Sequence, residues 1–117
     1  EILKMVSRAK SDDGSLMLIY EGQDVVGYYN LLDLSDEIVE LESLAILPKF
    51  QSQGFGGLSL GHIIKEVGSK SDLQLTVHPK NTAGLIVYLK NRFVPVEYKE
   101  NCYGDGQPRL LMKRLKS

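Results

Sequence analysis

Between Gln51 and Gly61 the chain reads Gln-Ser-Gln-Gly-Phe-Gly-Gly-Leu-Ser-Leu-Gly, with no charged residue in the stretch. An apolar run ends just before it at Ile46, Pro48 stops that run, and a helical pattern begins just after it. A turn of this kind leaves main-chain N–H groups unpaired at the start of a helix, where the helix dipole also favours negative charge. Glycines remove the Cβ atoms that would keep a ligand away. Gln51, Ser52, Gln53, Gly54, Phe55, Gly56 and Gly57 are therefore candidates to hold an anion such as a pyrophosphate. Two familiar phosphate loops do not fit. A P-loop needs Gly-Lys-Ser/Thr, and the chain has no Gly-Lys pair. A dinucleotide fingerprint needs a third glycine where Ser59 stands and an acid ending the next strand, whereas Asp72 precedes that strand.

The elements that must position this turn follow from pattern. Ile2, Leu3 and Val6 recur at helical spacing, so the first ten residues read as a short helix. Leu16–Tyr20 and Val25–Leu31 read as an antiparallel pair around the turn Glu21–Asp24, and residues 38–46 as a third strand. Leu60, Ile63, Ile64 and Val67 mark one face of a helix that Gly68 and Ser69 end. Residues 73–77 form a strand stopped at His78-Pro79, and Asn81 is a good N-cap for a helix with Leu85, Ile86 and Leu89 on its apolar face. Residues 93–98 and 109–113 are two last strands. The order predicts a mixed α/β (α+β) domain around one mostly antiparallel sheet, with one parallel crossover through the helix after the glycine turn.

The 117 residues suit a single domain, 1–117, and the 43% hydrophobic content suffices for one core. A net charge of -1 gives no bulk attraction to nucleic acid or to an anionic membrane. Lys113, Arg114 and Lys116 cluster near the end, a pattern common in solvated termini. A single cysteine, Cys102, forms no internal disulfide and favours a reducing, cytoplasmic setting. Two histidines and one cysteine without ligand spacing give no zinc site.

The strand–turn–helix segment resembles one family. Gln/Arg-x-x-Gly-x-Gly/Ala after a strand is the signature of the GNAT N-acetyltransferases, and here it reads Gln51-Ser52-Gln53-Gly54-Phe55-Gly56, with Pro48 before it and Leu58 after it. A second family pattern, Asn-x-x-Ala-x-x-x-Tyr-x-x-x-Gly-Phe, is matched at Asn81, Tyr88 and Phe93, with Gly84 in place of the alanine and Arg92 in place of the glycine. The loop Asn101-Cys102-Tyr103-Gly104-Asp105-Gly106 looks like the Tyr-Tyr loop of N-terminal protein acetyltransferases, with Cys102 at the first tyrosine. The likeness covers roughly residues 16–115, and such proteins usually begin with a further strand and helix that this sequence lacks.

The resemblance implies a GNAT-type acyl-CoA N-acyltransferase fold, a twisted central sheet flanked by helices, with acetyl-CoA as donor and CoA as product. It implies that the turn holds the CoA pyrophosphate and that Leu44, Ala45 and Ile46 run beside the pantetheine arm. It also implies that Asn81 caps its helix and contacts the pantetheine. Tyr88, about 10.5 Å further along the helix, would donate to the leaving sulfur; without the motif it would read as a packing residue. Glu40, eleven residues before Gln51, matches the offset of a glutamate base used by some members, and Glu42 lies two further on. Both also suit a solvated strand face. Where N-terminal acetyltransferases often carry a glutamate, this chain has Thr76; His78 is nearby, and histidine changes charge near neutral pH. A water-relayed proton path needs no dedicated base. Gln53 stands where many relatives have Arg or Lys, which implies modest affinity and a shallow salt dependence. The acceptor implied is a primary amine, a protein N-terminus or a small molecule, and an edge strand leaves room for a homodimer. The alternative is a module of the same fold that binds acyl-CoA without transfer.

Overall fold

Ser7–Lys10 is a β-strand, β1, rather than the helix that the spacing of Ile2, Leu3 and Val6 suggests. Its side chains are mostly exposed, and it owes its form to pairing with β2 (Met17–Glu21), Arg8 lying opposite Ile19. The structure is a computed structural model that describes residues 6–68 and 70–115, so Ile2, Leu3, Ser69 and Lys116 lie outside the described residues. After β2 come β3 (Asp24–Asp33), β4 (Ile38–Ile46), a one-turn 3₁₀ helix (Pro48–Phe50), α1 (Phe55–Val67), β5 (Asp72–Val77), α2 (Thr82–Lys90), β6 (Val94–Lys99) and β7 (Arg109–Arg114). The hydrogen-bonded strand order is β1-β2-β3-β4-β5-β7-β6. Only the β4–β5 pair is parallel among the registers resolved; β1–β2, β2–β3, β5–β7 and β6–β7 are antiparallel. The expected mostly antiparallel sheet with one parallel crossover is thus present. The chain divides into two units, residues 1–32 with 41–66 and residues 33–40 with 67–117, with boundaries at the end of β3, within β4 and at the end of α1.

In the first unit the core is built from Ile19, Val26, Tyr29 and Leu41 of the strands and from Phe55, Leu60 and Ile63 of α1. The α1 stripe is set by apolar residues three to five apart, as a helix packed on one face requires. Ser59 lies on the same stripe, 1% exposed, and its hydroxyl has no partner among the described residues. A polar cluster ties three elements together. The Tyr29 hydroxyl donates to Glu66 Oε1 at 2.6 Å and accepts from Arg8 Nη1 at 2.9 Å, and Arg8 also pairs with Glu66. Burial, and then the Glu66 hydrogen bond, push the Tyr29 phenol up to about 12. A phenol whose folded pKa exceeds its ordinary value of 10 contributes stability that is complete below pH 10 and is lost as the pH rises toward 12. The expected result is that the wild-type thermal midpoint drops more steeply between pH 10 and 12 than that of Tyr29→Phe. At pH 8 that variant is less stable by about 1–2 kcal/mol. Parallel alkaline curves for the two proteins would contradict the assignment.

In the second unit, alternate residues of β5 (Leu73, Leu75, Val77) are buried with Val39, Phe93 and Met112. The apolar face expected for α2 is not the packed one. Ile86 and Leu89 are 48% and 53% exposed, and the half-buried side carries Gly84, Leu85, Val87 and Tyr88. The end of α2 forms a Schellman turn: the Phe93 N–H donates to the Tyr88 carbonyl at 3.0 Å and the Arg92 N–H to the Leu89 carbonyl at 3.1 Å. The accompanying apolar contact is edge-to-face, with the Tyr88 and Phe93 rings 5.8 Å apart. Arg92 therefore occupies the left-handed position of the motif, at φ 70°, where glycine is preferred. The Tyr, Gly and Phe of the family pattern thus coincide with the acceptor, the hinge and the apolar contact of a helix stop. Arg92→Gly is expected to stabilise the fold by about 0.5–1 kcal/mol, the relief of the left-handed strain exceeding the added chain entropy. Equilibrium urea unfolding measures this as a higher midpoint with an unchanged slope.

Candidate functional site

In the first unit the glycine turn has the predicted form. Ser52 and Gly54 adopt positive φ (63° and 88°), reversing the chain between the 3₁₀ helix and α1. The Leu58 N–H donates to the Gly54 carbonyl at 3.1 Å, making Gly54 the residue before the first helical turn. No acceptor among the described residues takes the amides of Gly56 and Gly57, and no acid stands in the first turn. A Cβ at Gly54 or Gly57 would meet no atom within 4 Å, so the space before these amides is open. A phosphate group fits such a place on hydrogen-bonding and on dipole grounds.

The motif glutamines serve the turn itself. Gln51 Nε2 donates to the Ile46 carbonyl at 2.9 Å, tying the turn to the end of β4, and Gln53 Nε2 donates to the Lys49 carbonyl at 3.3 Å. Phe50 and Phe55 pack edge-to-face at 6.1 Å across the turn, with Phe55 buried. Leu44, Ala45 and Ile46 are half-buried at the end of β4. They lie against Gly27 of β3, where a Cβ would fall against the Ala45 carbonyl oxygen and 2.9 Å from Ile46 Cδ1. Glu42 is exposed and accepts from Asn30 Nδ2 at 2.6 Å, while the Ser43 hydroxyl donates to Asn30 Oδ1. No residue pattern pointed to this Asn30 bridge.

In the second unit Asn81 caps α2 as predicted, its Oδ1 accepting from the Gly84 N–H at 3.0 Å. Gly84 makes this pose possible, since a Cβ there would stand 2.7 Å from Asn81 Nδ2. The substitution of glycine for the family's alanine and the capping pose of Asn81 therefore go together. Tyr88 is half-buried and burial raises its pKa, so the phenol keeps its proton at neutral pH. Among the described residues nothing hydrogen-bonds its hydroxyl. Glu40 is half-buried and accepts from Gln74 Nε2 at 2.8 Å.

His78, weighed as a base, and Thr76, which cannot serve as one, are both engaged with neighbouring groups. Thr76 Oγ1 contacts the Tyr103 hydroxyl. His78 Nδ1 accepts the Lys80 N–H at 3.1 Å, which places the ring proton on Nε2, 3.0 Å from Gln107 Oε1. Neither imidazole nitrogen of that tautomer has a lone pair to spare for an amine. Thr76 and His78 instead fasten the loop before β7, where Tyr103 also stacks under the Arg109 guanidinium at 5.3 Å. Cys102 is a half-buried free thiol. Among the described residues, no three His, Cys, Asp or Glu side chains are grouped to hold a metal ion, and no helix is long and apolar enough to cross a membrane.

Comparison with known proteins agrees with this architecture. Three solved structures superpose with TM-scores of 0.77–0.79. Ard1 from Thermoplasma volcanium is 20% identical, with 91% of this chain and 73% of that one covered and a TM-score of 0.79. A GNAT family acetyltransferase from Elizabethkingia anophelis, solved with acetyl-CoA bound, is 23% identical over 87% of this chain and 75% of that one, with a TM-score of 0.79. The ribosomal-protein-S18-alanine N-acetyltransferase of Escherichia coli is 23% identical over 87% and 68%, with a TM-score of 0.77. At these identities the likeness establishes the fold. The sequence matches no curated protein. The family model for the acetyltransferase (GNAT) family matches residues 3–93, a span that holds both the glycine turn and the Asn81–Phe93 pattern. With that match over most of its length, the chain belongs to the acetyltransferase (GNAT) family.

Proposed function

We propose that the chain transfers an acetyl group from acetyl-CoA to a primary amine, either a protein N-terminus or a small molecule, by direct attack of the amine. The observation that carries this reading is the glycine turn opening α1 after β4, where the Gly56 and Gly57 amides have no acceptor among the described residues. Acetyl-CoA supplies the activated thioester. The residues of the chain would bind and orient it: the amides of the turn on the pyrophosphate, Leu44–Ile46 alongside the pantetheine, and Asn81 at the head of α2. Holding donor and amine together lowers the barrier by several kcal/mol on its own, by about 7 or more in well-oriented cases. Tyr88 keeps its proton at neutral pH and has a hydroxyl with no protein partner among the described residues, which suits a donor to the departing sulfur. With His78 and Thr76 engaged, proton removal from the amine falls to Glu40, Glu42 or water.

The same engagement of Thr76 and His78 favours a second reading, a domain that binds acyl-CoA without transferring the acyl group. One experiment separates these. Acetyl-CoA and CoA, each at about 100 times the dissociation constant, are expected to raise the thermal midpoint by several degrees, with NAD giving no shift. Thiol release on adding amines then distinguishes transfer from binding alone. No shift with acetyl-CoA or CoA would overturn both readings.

A further inference from the structure

In the second unit the end of β7, the start of β6 and the turn after α2 form a hollow of about 220 Å³, lined by Arg92, Val94, Lys113, Arg114 and Leu115. None of these residues has a part in the acetyl transfer proposed above. Three of the five are cations, in a chain whose net charge is -1. The ion pairs found among the described residues, Arg8–Glu66 and Arg109–Asp105, involve none of them.

Cations near a helix C-terminus are often explained by the exposed carbonyls there. That need is already met. The Val87, Tyr88 and Leu89 carbonyls accept from the Asn91 and Arg92 amides, and Tyr88 also from Phe93. Asn91 Nδ2 adds a second donor to Val87 at 2.8 Å, and Arg114 Nε bonds the Asn91 carbonyl at 3.0 Å. The Arg92 and Lys113 side chains have no partner among the described residues, nor do the two terminal nitrogens of Arg114. Arg92 also bears its long side chain at φ 70°, a position that favours glycine and gives the fold no reason for an arginine. A residue held in a costly conformation without a structural return is a mark of function.

We infer that this hollow binds a phosphate group, carried by a small phosphomonoester or free in solution. Two guanidinium groups and an ammonium match the charge and the several acceptor oxygens of a phosphate dianion, which guanidinium groups grip in pairs of parallel hydrogen bonds. Val94 and Leu115 add an apolar wall that suits the organic part of an ester.

The test is thermal unfolding with inorganic phosphate or glycerol 3-phosphate, each against sodium chloride of equal ionic strength, so that general screening cancels. Wild type is expected to gain several degrees with either anion. Arg92→Gly, which the Schellman geometry expects to fold at least as well, loses most of that gain, and so does Lys113→Gln. Gly57→Asp keeps it; this variant places a carboxylate in the open space of the glycine turn and blocks anions there. A larger gain with glycerol 3-phosphate assigns the site to esters and an equal one to free phosphate, and either sustains it. The inference is overturned if no gain occurs. It is equally overturned if the gain survives Arg92→Gly and vanishes in Gly57→Asp, because the anion then binds the glycine turn alone.

Discussion

Tyr88→Phe is expected to lower kcat by about 10²–10⁴ while leaving the thermal midpoint and the affinity for acetyl-CoA near their wild-type values. The structural roles of Tyr88 belong to its ring and its main chain. The ring meets Phe93 edge-to-face, and the carbonyl accepts the amides that close the Schellman turn. Phenylalanine keeps both. What it removes is the hydroxyl, which bonds no described residue and which burial keeps protonated. A loss in kcat without a loss in stability or in donor binding is therefore the signature of a proton donor used during reaction. Unchanged turnover in the purified variant would sink that role and leave Tyr88 as a packing residue.

The second large effect concerns stability. Gly27→Ala is expected to destabilise the fold by about 3 kcal/mol, at the upper end of overpacking costs. The added methyl would collide with the Ala45 carbonyl oxygen and approach Ile46 Cα to 3.2 Å. Both are main-chain atoms, so no rotamer change relieves the clash, and β3 and the end of β4 must move apart. The displaced residues are those proposed to run beside the pantetheine, so binding of acetyl-CoA should weaken together with stability. Urea unfolding and a donor titration on one sample measure both. A variant as stable as wild type would mean that this approach of β3 to β4 is looser than the structure has it.

Much of this was legible in the residues because it is encoded locally. Alternation in Leu73–Val77 gave β5, the three-and-four spacing of Leu60, Ile63 and Ile64 gave α1, and Asn81 announced the start of α2. The glycine turn was legible for the same reason, as its glycines and the missing charges sit within a few residues. What escaped depends on distant partners. The strand β1 is polar and exists through its hairpin with β2, so its own pattern pointed elsewhere. The cluster of Arg8, Tyr29 and Glu66 joins residues up to 58 positions apart. The Gln74 and Asn30 amides that hold Glu40 and Glu42 come from neighbouring strands. Arg92 escaped for the opposite reason: its residue type argues against the left-handed turn it makes. Gly27 carried a signal that was available, since a lone glycine inside a strand often marks a close approach of another backbone.

The bare amides of the glycine turn also make the molecule its own reporter. Among the described residues the Gly56 and Gly57 hydrogens have no acceptor, whereas Leu58 opens the bonded ladder of α1. Deuterium should therefore enter at Gly56 and Gly57 long before the rest of the helix. A bound pyrophosphate would slow those two positions first, so exchange read residue by residue would locate the donor on the chain without any turnover being measured.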